Sequence, residues 1–206
     1  MTQADLQAAL DAKVAEIRSR TELTPIAQRA RIAAAYKPLA AEASQRDQTA
    51  KEQRAATIQK ATHTAFGVGH LSHTPGDAAL IAMAHRQAAE KVEATTEPAQ
   101  AAQLLAQAKQ SGDTTLAIAV RPHAFTMSGH GLADPAWAKV LSDSVADDPK
   151  AFDAVETLLA ERNRGPLPAS TFDNVLVAPR ELGNATDYEV ERYINEDPSV
   201  AEAGVS

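Results

Sequence analysis

The first 66 residues form one long run of helix-favouring sequence whose middle, Ser44 to Arg54 (SQRDQTAKEQR), offers a single alanine and no larger apolar side chain to bury. A helix that is polar on every face has no core of its own to hold it, so it either bridges solvent or waits for a partner. On this ground the chain is expected to be one piece of something larger.

The shortage of bulky side chains extends to the whole sequence. Leu, Ile, Val and Phe together number 39 of 206 residues, against 45 alanines. Alanine is the best intrinsic helix former and buries little area, which predicts an all-α fold of many thinly packed helices. Cysteine is absent, excluding a disulfide framework, a thiolate metal site and a cysteine nucleophile. No apolar run approaches the roughly 18 to 20 residues that span a bilayer, and the start MTQADLQAALDAK lacks the basic and apolar regions of a signal peptide. A soluble, intracellularly made protein is expected, with no membrane partner.

Local signals place the elements. Thr2 and Asp5 form the pattern of a capping box, and Leu6, Leu10, Val14 and Ile17 recur at helical spacing, so a first helix is expected over residues 3 to 19. Thr24-Pro25 starts a second helix, with threonine as N-cap and proline where its missing N–H costs nothing. Ile26, Ile32, Tyr36 and Leu39 carry its stripe. Pro38 is expected to kink or break it, and Phe66-Gly67 to end it. Three segments are therefore expected: an N-terminal helical arm over 1–66, a small antiparallel helical bundle over 67–164, and an extended acidic C-terminal tail over 165–206.

Within the bundle, residues 67 to 76 (GVGHLSHTPG) read as a loop. Leu80, Ile81, Ala84, Ala88 and Val92 mark a third helix, and Glu97-Pro98 opens a fourth. Ser111-Gly112-Asp113 reads as a tight helix-to-helix turn. A short fifth helix is expected to end at Pro122, with a second loop over 123 to 131. Asp134-Pro135 and Asp148-Pro149 each start a helix, and these hold the single tryptophan, Trp137, with Phe152, Val155, Leu158 and Leu159, the expected best-packed part of the core. The tail holds prolines 166, 168, 179 and 198, a candidate strand at Asn174 to Ala178 and a short helix from Asp187 to Asn195. No 34-residue period recurs, so a tetratricopeptide solenoid is not supported.

Charge is divided along the chain. Residues 1 to 66 hold ten Lys or Arg against seven Asp or Glu, whereas the tail from Gly165 holds two against eight. A mildly basic arm and an acidic tail would let neighbouring subunits attract head to tail. The basic residues form no cluster and aromatics are scarce, which argues against a nucleic-acid partner.

No catalytic constellation stands out. His63, His70, His73 and His85 are grouped near the first loop and His123 and His130 flank the second, but the spacing is not that of HExxH. Gly67-Val68-Gly69 follows a helix rather than a strand and has serine at position 72 where a dinucleotide fingerprint needs its third glycine. Ser128 near His130 lacks the GxSxG setting of a nucleophile. Asp147 and Asp148 precede Pro149 as a helix cap. No catalytic residue, cofactor site or metal site is assigned.

The opening LQAALDAKVAEIRSRTELTPIAQRARIAAAYKPLAAEA and the run LLAQAKQSGDTTLAIAV resemble, in style, small helical structural proteins of bacteriophages that infect high-GC actinobacteria. The resemblance covers about half the chain. It implies a non-catalytic virion component or capsid or tail assembly factor, oligomeric or part of a larger complex, with the virion as its destination. Leu6, Leu10, Val14, Ile17, Ile26, Tyr36 and Leu39 of the arm, with Phe172, Val175, Val177, Tyr188 and Tyr193 of the tail, are then the expected partner-binding side chains. Two alternatives stand beside it: a helical adaptor or regulatory protein that binds one host partner, and a metal-dependent enzyme built on the histidine loops.

Overall fold

The computed structural model describes residues 2–71, 74–129, 134–165 and 176–197. Among these it is all-helical: α1 (Gln3–Ser19), α2 (Pro25–Phe66), a single 3-10 turn (Gly69–Leu71), α3 (Pro75–Glu93), α4 (Pro98–Ser111), α5 (Thr114–Met127), α6 (Pro135–Val145), α7 (Pro149–Asn163) and α8 (Asp187–Asn195). None is long and apolar enough to cross a membrane. The candidate strand does not form over residues 176–178, and positions 174 and 175 lie outside the described residues.

Most boundaries follow from caps. Thr2 and Asp5 close the expected capping box, Asp134 and Asp148 accept from the backbone N–H groups of Ala136 and Ala151, and Thr186 and Glu189 form a second box at α8. Gly112, at φ +69°, ends α4 in the left-handed region that side chains disfavour, and Asp113 at once caps α5 through Leu116 N–H.

Two prolines lie inside helices. Pro38 lies inside α2 and does not break it, and Pro122 lies inside α5, which runs on to Met127 across residues expected to be a loop. Proline costs a helix interior about 3 kcal/mol. Around Pro122 tertiary burial outweighs that cost, since Leu116, Ile118, Ala119, Val120 and Ala124 are all buried.

Contacts divide the chain into two compact units, Met1–Arg54 with Pro166–Ser206 and Ala55–Gly165. The division falls inside α2 rather than after Phe66, because Ala61 and Ala65 of its last turns belong to the core of the second unit. In the first unit the stripe Leu6, Leu10 and Val14 packs with Ile32, Ala33, Leu39 and Ala43 of α2 and with Leu176, Leu182 and Val190. The arm therefore does not wait uncovered, and residues 176–197 are not a bare tail. Residues of α1 and α2 and of the segment 176–194 share one core.

The polar middle of α2 is held by its own surface pairs. Glu42 meets Arg46 at 2.5 Å, Asp47 meets Lys51 at 2.6 Å, and Gln48 donates to Glu52 at 2.8 Å. Pairs at this spacing contribute about 0.2–0.5 kcal/mol each, enough to support a helix but not to create one.

The second unit is built around α5, which packs against α3, α4 and α6. Its core joins Val92, Leu105, Leu116, Val120, Trp137, Val140, Leu141, Val145, Val155 and Leu158 with many alanines. Arg121 sits among them, only 5% exposed. Its guanidinium donates to the carbonyl oxygens of Ser144 (3.2 Å) and Ala65 (3.1 Å) and to the Asp148 carboxylate (3.2 Å). One side chain thus ties the end of α2, the end of α6 and the cap of α7 to the centre of the unit.

Arg121→Lys is expected to destabilise the second unit by about 2–4 kcal/mol, since one ammonium cannot reproduce the planar fork that reaches all three acceptors. Urea unfolding followed by the fluorescence of Trp137, itself 3% exposed in this core, reads the effect directly. An unchanged midpoint would refute the role given to the guanidinium.

Candidate functional site

Of the side chains expected to meet a partner, Leu6, Leu10, Val14 and Leu39 are buried in the first unit, and Ile17, Tyr36 and Tyr193 pack half-buried against the same core. Their covering partner is the segment 176–197 of the same chain. Ile26, Val177 and Tyr188 remain exposed, at 56%, 66% and 78%. Phe172 and Val175 lie outside the described residues.

Charge follows the same course as the apolar stripe. Arg18 donates from Nε and Nη2 to the two carboxylate oxygens of Glu181, both at 2.8 Å. Lys37 pairs with Glu191, and the Arg29 guanidinium lies over the Tyr193 ring, 5.1 Å from its centre. Val177 N–H donates to Gln7 Oε1 at 2.9 Å. Basic arm and acidic tail, expected to attract between subunits, pair within one chain.

The second unit carries two apolar surfaces of a different kind. The first is on α3, where Ala78, Ala79, Leu80, Ala82, Met83 and Ala84 are exposed, Leu80 at 63% and Met83 at 56%. The buried residue of α3 is Val92, near its C-terminal end. Seven consecutive apolar residues, Ala78 to Ala84, are the sequence signal for this surface: one buried face of a helix cannot accommodate them all. The second is a groove of about 360 Å³ between α6 and α7, floored by Leu141, Val145 and Val155 and edged by Phe152, Leu159, Glu156 and Arg162. Phe152 is 41% exposed there.

The histidines differ in their surroundings. His123 donates from Nε2 to the Thr95 carbonyl at 2.9 Å and meets the Trp137 ring edge-on at 5.2 Å. His85 holds a buried Nε2 without a hydrogen-bond partner. His63 and His70 are exposed, while His73 and His130 lie outside the described residues. Among the described residues no three His, Asp or Glu side chains come together as metal ligands would. Ser128 is buried and donates to the Phe125 carbonyl at 2.9 Å, as a helix-end hydroxyl does. A polar cleft of about 450 Å³ lies beside Lys109, Arg121, Asp147 and Asp148. There Lys109 pairs with Asp147 at 2.6 Å, and its ammonium, through that hydrogen bond first, holds the Asp147 carboxyl below its usual range.

No protein-family model, no curated protein and no solved structure matches the chain.

Glu181 is the most strongly perturbed acid, lowered to about 2 chiefly by its hydrogen bond from Arg18, against the opposing effect of burial. Because its folded pKa lies below the ordinary 4.5, its stabilising contribution is fully present above about 4.5 and is lost as pH falls toward about 2. A carboxyl carbon resonance of Glu181 followed by NMR should titrate near the lower value. With Arg18 substantially exposed, Glu181→Gln should cost about 1 kcal/mol near neutral pH and flatten this part of the acid dependence. A midpoint near 4.5 would show that the pair does not form in solution.

Proposed function

We propose that this chain is a non-catalytic structural or assembly protein that docks on neighbouring protein subunits, as a virion component or capsid or tail assembly factor of a bacteriophage. In this reading the helical arm and the C-terminal tail hold each other, and the bundle supplies the surfaces that meet neighbours. The observation that carries it is the apolar face of α3, where Leu80 and Met83 stand in solvent although the chain has few long apolar side chains to place. Such a face is stable in water only at a cost that contact with another surface removes. The phage setting is supported by the resemblance of the alanine-rich opening and of the Leu104 to Val120 run.

The test is the replacement Leu80→Asp with Met83→Asp in the full chain. Sedimentation velocity of the unaltered protein should show mass rising with concentration, and the double variant should lose this association at least about tenfold, since burying each side chain contributes about 1.5–3 kcal/mol. Trp137 fluorescence should stay native in the variant. A parent chain that remains monomeric at every concentration would overturn the reading.

A further inference from the structure

We infer that the neighbour received by this protein is a second copy of itself, whose α3 face enters the groove between α6 and α7. The inference rests on the docking reading above and names its occupant. The two surfaces are complementary in chemistry. Leu80 and Met83, three residues apart, project from one side of α3, and the groove offers about 360 Å³ of mainly apolar space with the edge of Phe152 open to solvent.

Charge selects the same pairing. At 100° per residue, Asp77 and Arg86 flank the Leu80–Met83 face on opposite sides of α3, and Glu156 and Arg162 flank the apolar strip of α7 on opposite sides. One direction of approach sets Arg86 against Glu156 and Asp77 against Arg162. The reverse direction sets like charges together. Neither Arg86 nor Glu156 has an ion-pair partner among the described residues, so both are available for the contact. Arg162 is steadied by its donation to the Phe125 carbonyl at 2.9 Å and by its position over the Phe125 ring. Donor face and receiving groove are different parts of one unit. The contact is therefore heterologous, and each copy that docks leaves one face and one groove open for the next.

The experiment mixes two variants of the full chain. Leu80→Asp with Met83→Asp spoils the face and leaves the groove, whereas Phe152→Asp spoils the groove and leaves the face. Each alone should sediment as a monomer, and the equimolar mixture should reach twice the monomer mass and stop there. Charge reversal supplies a second test at exposed positions that leave the core intact: Arg86→Glu and Glu156→Arg should each weaken self-association about tenfold, and the chain carrying both should recover it. If Phe152→Asp and Glu156→Arg associate as the parent does while the α3 variant does not, the groove is not the receiver, although docking through α3 stands. A mixture that stays monomeric, or a double reversal that fails to recover, also overturns the pairing.

Discussion

Leu6, Leu10 and Val14 cannot be left in water, and the organisation of the first unit follows from how they are covered. The helix that carries them has one narrow stripe, and the α2 residues beside it supply Ile32, Leu39 and alanines. That layer is thin. Leu176, Leu182 and Val190 complete it from the other end of the sequence, each nearly solvent-free at 3–4% exposure. At about 1.5–3 kcal/mol for each fully buried large side chain, this closure offsets part of the entropy of fixing the segment that makes it. The Arg18–Glu181 fork then sets its register, since a bidentate pair tolerates little sliding.

The second unit solves the same shortage differently. Alanines let its helices approach closely, and α5 is enclosed on several sides at once. Close approach leaves helix ends buried, where carbonyl oxygens need donors. Arg121 supplies them for the end of α2 and the end of α6, while its charge is balanced by Asp148 at the cap of α7. A buried arginine is costly unless its donors are used, and here three acceptors use them.

What could be read in the sequence was local. The capping residues Thr2, Asp134 and Asp148, the Gly112-Asp113 turn and the helix Asp187–Asn195 all depend on neighbours a few positions away, and each lies in the structure where its signal places it. What could not be read was long-range. Nothing in the run around Pro122 tells that the helix containing it will be enclosed and so continue past it. Nothing in the spacing of Leu6 and Leu10 tells that residues 176–190, rather than another chain, will cover them. Arg121 likewise reads as an ordinary polar end to an apolar run until the carbonyl oxygens of Ala65 and Ser144 are brought to it. For the candidate surface, the uninterrupted apolar stretch from Ala78 to Ala84 was visible, but whether its surplus faced a core or solvent depended on where α5 lay.

With few long apolar side chains to place, the chain buries Leu6 and Leu10 completely yet exposes Leu80 and Met83. In the first unit, residues of α1 and α2 and of the segment 176–194 close one core through apolar and charge pairing within the chain, while Ile26, Val177 and Tyr188 stay exposed. The second unit also exposes apolar groups: α3 presents unburied methyl and thioether groups, and the α6–α7 groove has unfilled apolar space. Each such surface is small beside the roughly 800 Å² per partner of a stable interface, so a single contact is weak. Weak heterologous contacts become firm only when many copies are held together, because each further contact then forms at high effective concentration. Under the proposed docking, copies would stay apart when dilute and join where they are concentrated.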